Sequence, residues 1–235
     1  MSVAFDSNVD LTVQVAFDNN PFDTSLSFTD ISTYVRQFNT KRGRANELGQ
    51  FVGGTASLLL SNADNRFNPN NTSSPYYDTA NSVTKIQPLK PVKISATYDG
   101  TNYPIFFGYL DMIPVSFPAI GADSVVQFNC VDAFKIFNQQ NITSAGWRLG
   151  RGGFSEIGVS RLLDVIQFPS ATRSIDTGTL QVQSQSGTTD ILSAIRECEV
   201  SENAQFFIGK DGNAVFRNRN YRLSNAKATS VQATF

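Results

Sequence analysis

Apolar and polar residues alternate along several segments of the first 138 residues, a pattern typical of strands with one buried face. Residues 11–17 (LTVQVAF) and 91–98 show it clearly, and Asp99-Gly100 then supplies a two-residue hairpin turn. Further strands are predicted at 31–40, 55–61, 103–113 and 124–137, the last ending in a short helical turn. The pattern predicts an antiparallel β-barrel or sandwich with a core of Val13, Val15, Leu58, Leu60, Val92, Ile94, Phe106, Val126 and Phe128.

After residue 138 the apolar spacing changes to three and four residues, which is typical of one helix face. Residues 156–168 and 190–199 show this spacing, and residues 204–219 follow as a hairpin around Asp211-Gly212. We predict Ser155 as the cap of the first helix, and Thr188 or Thr189 as the cap of the second. The chain is therefore mainly β, with a barrel domain over 1–138 and a smaller α+β domain over 139–235.

The last residues, Ser230–Phe235, have the pattern of a strand with no turn after it. An unpaired strand leaves backbone hydrogen-bonding groups open at a sheet edge, which proteins usually cover. We expect a continuation of the chain or a neighbouring chain to cover it.

Residues 62–89 interrupt the barrel pattern with a long segment rich in Asn, Asp, Ser and Pro. A loop of this length inside a compact domain is uncommon and usually functional. We expect it to be ordered in an assembly, with Phe67, Tyr76 and Tyr77 buried against the barrel or a neighbouring subunit.

Composition narrows the function classes. Nineteen basic and twenty acidic residues give a net charge of −1, which argues against a sequence-reading nucleic-acid binder. The chain has no histidine, so histidine-dependent nucleophile systems and histidine-bearing zinc sites are excluded.

Cys130 and Cys198 lie on apolar faces and are interpreted as buried free thiols. No apolar run reaches membrane-spanning length, and Met1–Asp10 lacks the order of a secretory signal, so synthesis in a cytoplasm is expected.

Residues 34–118 contain a series of motifs in a fixed order. The chain reads YVRQFNTKRGRANELGQFVGGTASLLLSNADNRFNPNNTSSPYY and later PVKISATYDGTNYPIFFGYLDMIPVSFP. An Arg-Gly-Arg turn, a Gly-Thr-Ala strand, an Asn-x-Asp-x-Arg-Phe-x-Pro-x-Asn loop, a Ser-Pro-Tyr-Tyr segment and a Phe-x-Gly strand follow one another. This series resembles the N-terminal part of tail proteins from long-tailed, non-contractile phages. The later hairpin, FFIGKDGNAVFRNR, also resembles one in tail hub proteins.

The resemblance implies a structural virion protein, the tail hub at the distal end of the tail tube. Its tube-like barrel would form a homotrimeric ring around the channel through which genomic DNA is ejected. Its expected partners are further copies of itself, the tail tube, the distal tail protein and the tip or fibre proteins. No cofactor, catalytic residue or metal is implied. Relatives of this kind usually continue beyond the Asp-Gly hairpin, so a longer chain is expected past Phe235.

The motifs also suggest which residues contact neighbouring subunits, because arginine and aromatic side chains are the usual anchors of interfaces. The predicted interface residues are Arg42, Gly43, Arg44, Glu47, Asp64, Arg66, Phe67, Pro69, Pro75, Tyr76 and Tyr77. For the Arg42–Arg44 turn, a solvated turn, an inter-subunit anchor and a phosphate contact all remain open. The distal tail protein shares the barrel but is expected as a hexamer, and the sequence does not distinguish the two symmetries.

Three other functions compete with this assignment. Asn62, Asp64 and Asn70 offer calcium ligands, but without the acidic spacing or bidentate glutamate of a calcium loop. Asp111 with Asp132 is an example of a carboxylate pair for glycoside hydrolysis, a pairing that chance alone also produces. A carbohydrate-binding module would use exposed aromatic residues such as Trp147, Tyr76 and Tyr77.

Overall fold

A computed structural model describes residues 9–46, 49–115, 124–142, 154–181, 189–224 and 230. The described residues form two compact units. The first contains the described parts of Met1–Arg42 and Gly53–Ala133, with Gly209–Gly212. The second contains those of Gly43–Val52, Phe134–Ile208 and Asn213–Phe235.

The first half of the chain forms one large sheet. Its strands and those of a small inserted hairpin are β1 (Val9–Val15), β2 (Thr29–Asp30), β3 (Val35–Gly43), β4 (Val52–Ser61), β5 (Tyr77–Asp78), β6 (Val83–Thr84), β7 (Pro91–Tyr98), β8 (Thr101–Met112) and β9 (Val125–Val131). Seven strands pair in the order β2-β1-β7-β8-β9-β4-β3, while β5 and β6 pair with each other. Antiparallel register runs through β1–β7, β7–β8, β8–β9 and β4–β9.

This sheet must curve strongly, because the chain connects its two edges by a short path. Flat strands about 4.8 Å apart would put β2 and β3 about 29 Å from each other. Yet only residues 31–34 separate the end of β2 from the start of β3, a path of at most about 18 Å. The edges therefore approach each other at that end, as in a barrel with an open seam.

One apolar cluster fills the concave side of the sheet. It contains inward side chains from β1, β4, β7, β8 and β9, together with Phe17, Ile31, Phe67 and Ile86 from the connections. All nine residues predicted for the core lie in it, almost fully buried. Cys130 belongs to the same cluster, and Cys198 is buried in the second unit, so both are free buried thiols as predicted. The mainly β, antiparallel fold class is confirmed.

The strand predicted at residues 31–40 is wrong in its first part. Ser32–Tyr34 forms a 3₁₀ turn, and the strand starts only at Val35. The cause is local, because the Asp30 carboxylate accepts hydrogen bonds from the backbone and hydroxyl of Ser32, at 2.8 and 2.6 Å. Aspartate bonded in this way favours a turn over an extended chain. Residues 124–137 divide as predicted into β9 and a helix, α1 (Ala133–Gln139).

Two glycines of the recognised motifs occupy positions where a side chain would not fit. A Cβ on Gly108 would lie 2.3 Å from the Val131 carbonyl oxygen and 2.7 Å from the Phe106 ring. A Cβ on Gly212, which has φ +86°, would lie 2.4 Å from the Phe107 ring. The Phe-x-Gly strand and the Asp-Gly hairpin thus contact each other within the first unit, where the Phe107 ring packs against the backbone of Gly212. Asp99 and Gly100 have positive φ, as the predicted two-residue hairpin requires.

The second unit combines helices with short strands. Its elements are β10 (Asn141–Ile142), α2 (Ser155–Val165), β11 (Arg173–Ile175), β12 (Thr189–Asp190), α3 (Ile191–Glu202), β13 (Gln205–Ile208), β14 (Ala214–Arg217) and α4 (Tyr221–Ser224). Strands pair in the order β11-β14-β13, and β10 pairs with β12. The apolar faces of α2 and α3 are buried, as their spacing predicted. Ser230 is described without a strand, and residues 231–235 of the predicted final strand lie outside the described residues.

Both predicted helix caps are wrong. Phe154, not Ser155, occupies the cap position of α2, and the Ser155 hydroxyl donates instead to Glu202, at 3.1 Å. For α3 the cap is Asp190, whose carboxylate accepts from the Ser193 backbone at 2.8 Å. Aspartate is as good a cap as threonine, and here the chain enters the helix one residue later than expected.

Glu202 fastens the end of α3 to the segment around residue 180. Its fully buried carboxylate accepts hydrogen bonds from the Thr179 hydroxyl at 2.6 Å and the Leu180 backbone at 2.9 Å, besides that from Ser155. Burial alone would raise the pKa of Glu202, but these hydrogen bonds outweigh it and hold the pKa below its ordinary value of 4.5. The ionised carboxylate therefore stabilises the folded chain.

A lowered folded pKa gives stability that is present above the unfolded pKa and lost as pH falls through the folded value. We expect Glu202→Gln to reduce the free energy of unfolding by about 1–3 kcal/mol at pH 7, with the deficit shrinking below about pH 4.5. Denaturant titrations at pH 7 and pH 3 measure this. Glu197→Gln, on the exposed face of α3, is the matched control and is expected to change little. An equal deficit for Glu202→Gln at both pH values would contradict the role of the charge.

Candidate functional site

The long loop between β4 and β7 is a row of tight turns. Backbone N–H groups donate to the carbonyl three residues earlier at every third position. The donors are Asn65, Asn68, Asn71, Ser74 and Tyr77, at 2.9 to 3.4 Å. Each acceptor residue but the first is also a donor in the preceding bond, so the turns form one continuous chain. The loop therefore has a repeat of three residues that hydrophobic periodicity does not reveal.

Short polar side chains reinforce these turns. Asn68, Asn71 and Ser74 each accept a hydrogen bond from the backbone N–H two residues later, at 3.0 Å. Asp78 does the same at Ala80, at 3.0 Å. Asn65 adopts φ +60°, a left-handed conformation that asparagine tolerates better than most residues. The Asn, Asp and Ser side chains of the loop thus stabilise its conformation, because they accept hydrogen bonds from nearby backbone N–H groups.

Phe67 ties the loop to the sheet. Its ring is fully buried, 5.6 Å from Phe128 on β9 and 5.4 Å from Tyr34, in edge-to-face contacts, and it stacks on Tyr76 at 5.6 Å. Its backbone N–H donates to the buried side-chain oxygen of Asn62 at 2.9 Å. Such aromatic pairs contribute about 0.5–1.5 kcal/mol each beyond the area they bury. The structure thus buries this predicted interface residue in the barrel core of its own chain.

Arg66 lies at the surface end of the same cluster. Its guanidinium is 2.5 Å from the Asp64 carboxylate, donates to the Tyr34 hydroxyl and sits 4.2 Å from the Tyr34 ring centre. The hydrogen bond with Arg66 lowers the pKa of Asp64, and that with Asp64 raises the pKa of Arg66. Asp64 is exposed, so the pair contributes little to stability by itself. Its effect is to hold a planar cation at a fixed place on the surface.

Tyr76 and Tyr77 have different surroundings. Tyr76 stacks on Phe17 at 4.3 Å, and burial raises the pKa of its hydroxyl. Tyr77 is half-buried in β5, and Pro75 before it is exposed. Pro69 is half-buried beside a groove of about 520 Å³ that Ile86, Pro88 and Met112 also line. Of the loop residues predicted for an interface, Asp64 and Pro75 are the exposed ones.

The Arg42–Arg44 turn ends β3. Gly43, the last residue of β3, has φ +110°, a conformation that favours glycine and that the solvated-turn interpretation requires. Arg42 is exposed, and the Arg44 guanidinium lies 5.1 Å from the centre of the Phe51 ring. Glu47 lies outside the described residues. The inter-subunit role of this turn stays a prediction.

Sequence reasoning missed Tyr34, which contacts both Arg66 and Phe67. The spacing of Asp64 and Arg66 signals a local ion pair, but nothing local identifies a partner 32 residues away. The contacts also use the oxygens considered for calcium, since Asn62 binds the Phe67 amide and Asp64 binds Arg66. Among the described residues, no group of three or more Cys, Asp or Glu side chains is arranged to hold a metal. No described helix is long and apolar enough to cross a membrane.

Two solved tail proteins share this fold. The tail protein from Neisseria meningitidis MC58 superposes on 89% of the chain with a TM-score of 0.53 and 8% identity. The 43 kDa tail protein of prophage MuSo2 from Shewanella oneidensis superposes on 90% with a TM-score of 0.50 and 12% identity. The chain spans about half of each, 51% and 54% of their lengths. No family model and no curated protein sequence matches the chain. The chain therefore has a fold found in phage tail proteins.

We expect Phe67→Ala to reduce the free energy of unfolding by about 3–5 kcal/mol, because it leaves a cavity between the loop and β9. Denaturant titration measures the loss, and hydrogen exchange at the Asn65, Asn68 and Asn71 amides follows the order of the loop. Pro75→Ala, exposed in the same loop, is the control and is expected to be close to wild type. Wild-type exchange protection in Phe67→Ala would show that the turns hold without the buried ring.

Proposed function

We propose that this chain is a structural, non-enzymatic subunit of a phage tail, the hub at the distal end of the tail tube. The observation that supports this most is the fold likeness to two tail proteins over about nine tenths of the chain. The motif series of residues 34–118 supports the finer assignment, because it resembles hubs of long, non-contractile tails. In this proposal three copies form a ring that joins the tube to the tail tip.

A ring subunit needs a shape that does not change when it meets its neighbours, and the loop supplies one. Its backbone bonds, its side-chain bonds and the buried Phe67 ring all restrain the same segment. Ordering a loop during assembly would reduce affinity, whereas a preformed loop loses little entropy on binding. Asp64, Arg66 and Pro75 would then act as surface contacts that are already in position.

DNA would pass through this ring, and a row of polar side chains on β4 and β9 suits that role. Ser57 on β4 pairs in register with Asn129 on β9, and the Gln127 side chain donates to both. These side chains are uncharged and offer no cation to a phosphate. Because affinity for DNA depends mainly on cations facing phosphates, DNA would not bind tightly to these three side chains.

The competing functions have less support. Tyr76 uses its ring on Phe17 and Phe67, which leaves it a poor platform for a sugar. Trp147 lies outside the described residues. Asp132 is buried and accepts a hydrogen bond from the Gly54 backbone, a structural contact rather than a catalytic one. The distal tail ring remains the second candidate, because it shares the barrel and differs in having six copies.

Location in the virion tail tip, with the tube, distal tail and tip or fibre proteins as neighbours, belongs to the same proposal. A cryo-electron microscopy reconstruction of the assembled tail tip tests it directly. We expect three copies of this subunit in one ring below the tube, with the 62–89 loop ordered and more than about 1,000 Å² buried at each contact. Six copies in a ring above the tip would show that the chain is the distal tail protein and not the hub. A monomer in the intact virion would contradict both.

We further expect the purified chain to release no fragments from cell-wall polymer. The chain has no histidine to act as a base, and the Asp132 carboxylate has a structural partner. Chromatography of digests measures turnover, with Asp111→Asn and Asp132→Asn beside the wild type. Fragments released by the wild type and lost in one of these variants would overturn the structural assignment.

A further inference from the structure

Charge is strongly segregated in the first 44 residues. Residues 1–35 contain five aspartates and neither lysine nor arginine. Residues 36–44 contain four basic residues, Arg36, Lys41, Arg42 and Arg44, and no acidic one. Although the net charge of the chain is only −1, all charged residues of 1–35 are acidic and all charged residues of 36–44 are basic.

The sheet places these segments at its two opposite edges. The acidic segment supplies β1 and β2 at one edge, and the basic segment supplies β3 at the other. Asp10, Asp30, Lys41 and Arg42 are all exposed. Asp18 forms an ion pair with Lys85, and Asp64 with Arg66, and among the described residues no ion pair joins Asp10 to Lys41 or Arg42. The molecule thus has one acidic and one basic sheet edge.

Both sheet edges have backbone N–H and C=O groups that a further strand could bond. β1 pairs with β7 along all of Val9–Val15. On its other side β2 pairs at Gln14 and Val15, and Ile31 and Ser32 bond the backbone of Val13, so among the described residues the open part of this edge is Val9–Thr12. β3 ends the sheet with nine residues, of which six are exposed. Each edge also has an exposed apolar side chain, Val9 on β1 and Phe38 on β3. Exposed strand edges are templates for pairing with another chain.

The charges select which chain can pair. Two β3 edges would bring basic residues together, and two β1 edges would bring aspartates together, so both symmetric pairings are repelled. A basic edge meets an acidic one only in a head-to-tail contact. Head-to-tail contacts between identical chains close into rings when the rotation permits. The partner that fits each edge is therefore the opposite edge of a second copy.

We propose that the β3 edge of one copy pairs with the β1–β2 edge of the next, continuing the sheet around the ring. The pairing rests on the ring of the proposed function and identifies its interface. The Lys41 and Arg42 side chains face the Asp10 and Asp30 side chains of the neighbour, and Phe38 and Val9 add apolar contact. Each copy donates one edge of each kind, so no edge is left open in the closed ring.

Reversing the charge of one edge at a time tests this. Variant A is Lys41→Glu with Arg42→Glu, and variant B is Asp10→Lys with Thr29→Lys. Asp30 is kept because it holds the turn at Ser32. Analytical ultracentrifugation of the full chain at low salt measures self-association. We expect A and B each to associate at least about tenfold more weakly than wild type, because like charges then face each other across the contact. Lys210→Glu, exposed and away from both edges, is the control.

Two further samples separate an edge contact from other causes. The chain with all four substitutions has the edges exchanged, and it is expected to regain association close to wild type. An equimolar mixture of A and B is expected to associate as well, because each variant then finds a complementary edge in the other. If the two edges instead pair with each other within one chain, the fourfold variant would restore that contact, whereas mixing A with B would not. That result would overturn the proposal. Circular dichroism melts check that each variant is folded.

The outcomes also separate this inference from the function on which it rests. If the wild type and variants A and B associate equally, the ring stands and the edge pairing is wrong. If the wild type sediments as a monomer at every concentration, the ring is contradicted and the edge pairing with it. A ring of three cannot alternate A and B, whereas a ring of six can. Closed six-membered rings in the mixture would therefore also support the distal tail alternative over the hub.

Discussion

The packing of the first unit depends on the buried ring of Phe67, which joins the loop to the sheet. It is the point where an irregular polar segment joins a regular apolar sheet, through Tyr34, Tyr76 and Phe128. A segment made of Asn, Asp and Ser has little apolar surface with which to offset the entropy of ordering its backbone. One aromatic ring in the core, with its amide held by Asn62, supplies what the turns cannot. Arg66 and Asp64 are then fixed at the surface as neighbours of that anchor.

Glu202 has the corresponding role in the second unit, with a charge in place of a ring. Its carboxylate collects donors from Ser155, Thr179 and Leu180, which lie 22 to 47 residues away. A buried carboxylate with enough donors stays ionised, whereas one that lost a donor would be costly. Both units thus use a single buried side chain to fix chain segments that lack regular secondary structure.

The sequence predicted the sheet well because strand alternation is a local signal. Each core residue from Val13 to Phe128 was identified from its own segment, and the Asp99-Gly100 turn fixed one register. The caps were mispredicted for the opposite reason. Ser155 matched the local rule, but its hydroxyl bonds Glu202, which is far along the chain. Within the loop, the turn-forming residues were recognisable, but the partners of Phe67 and Arg66 depend on the closed fold. The interface role of the predicted site residues is a property of an assembly and not of a single chain.

The row of turns in the loop constrains how its sequence can change. Between Asn62 and Tyr77, every third residue accepts one backbone hydrogen bond of the row and donates another. Inserting or deleting one residue would put the side chains that hold each turn out of step with the backbone groups they bond. Adding or removing three residues would extend or shorten the row by one whole turn and leave the rest intact. A change of length that keeps the row of turns intact therefore comes in multiples of three residues.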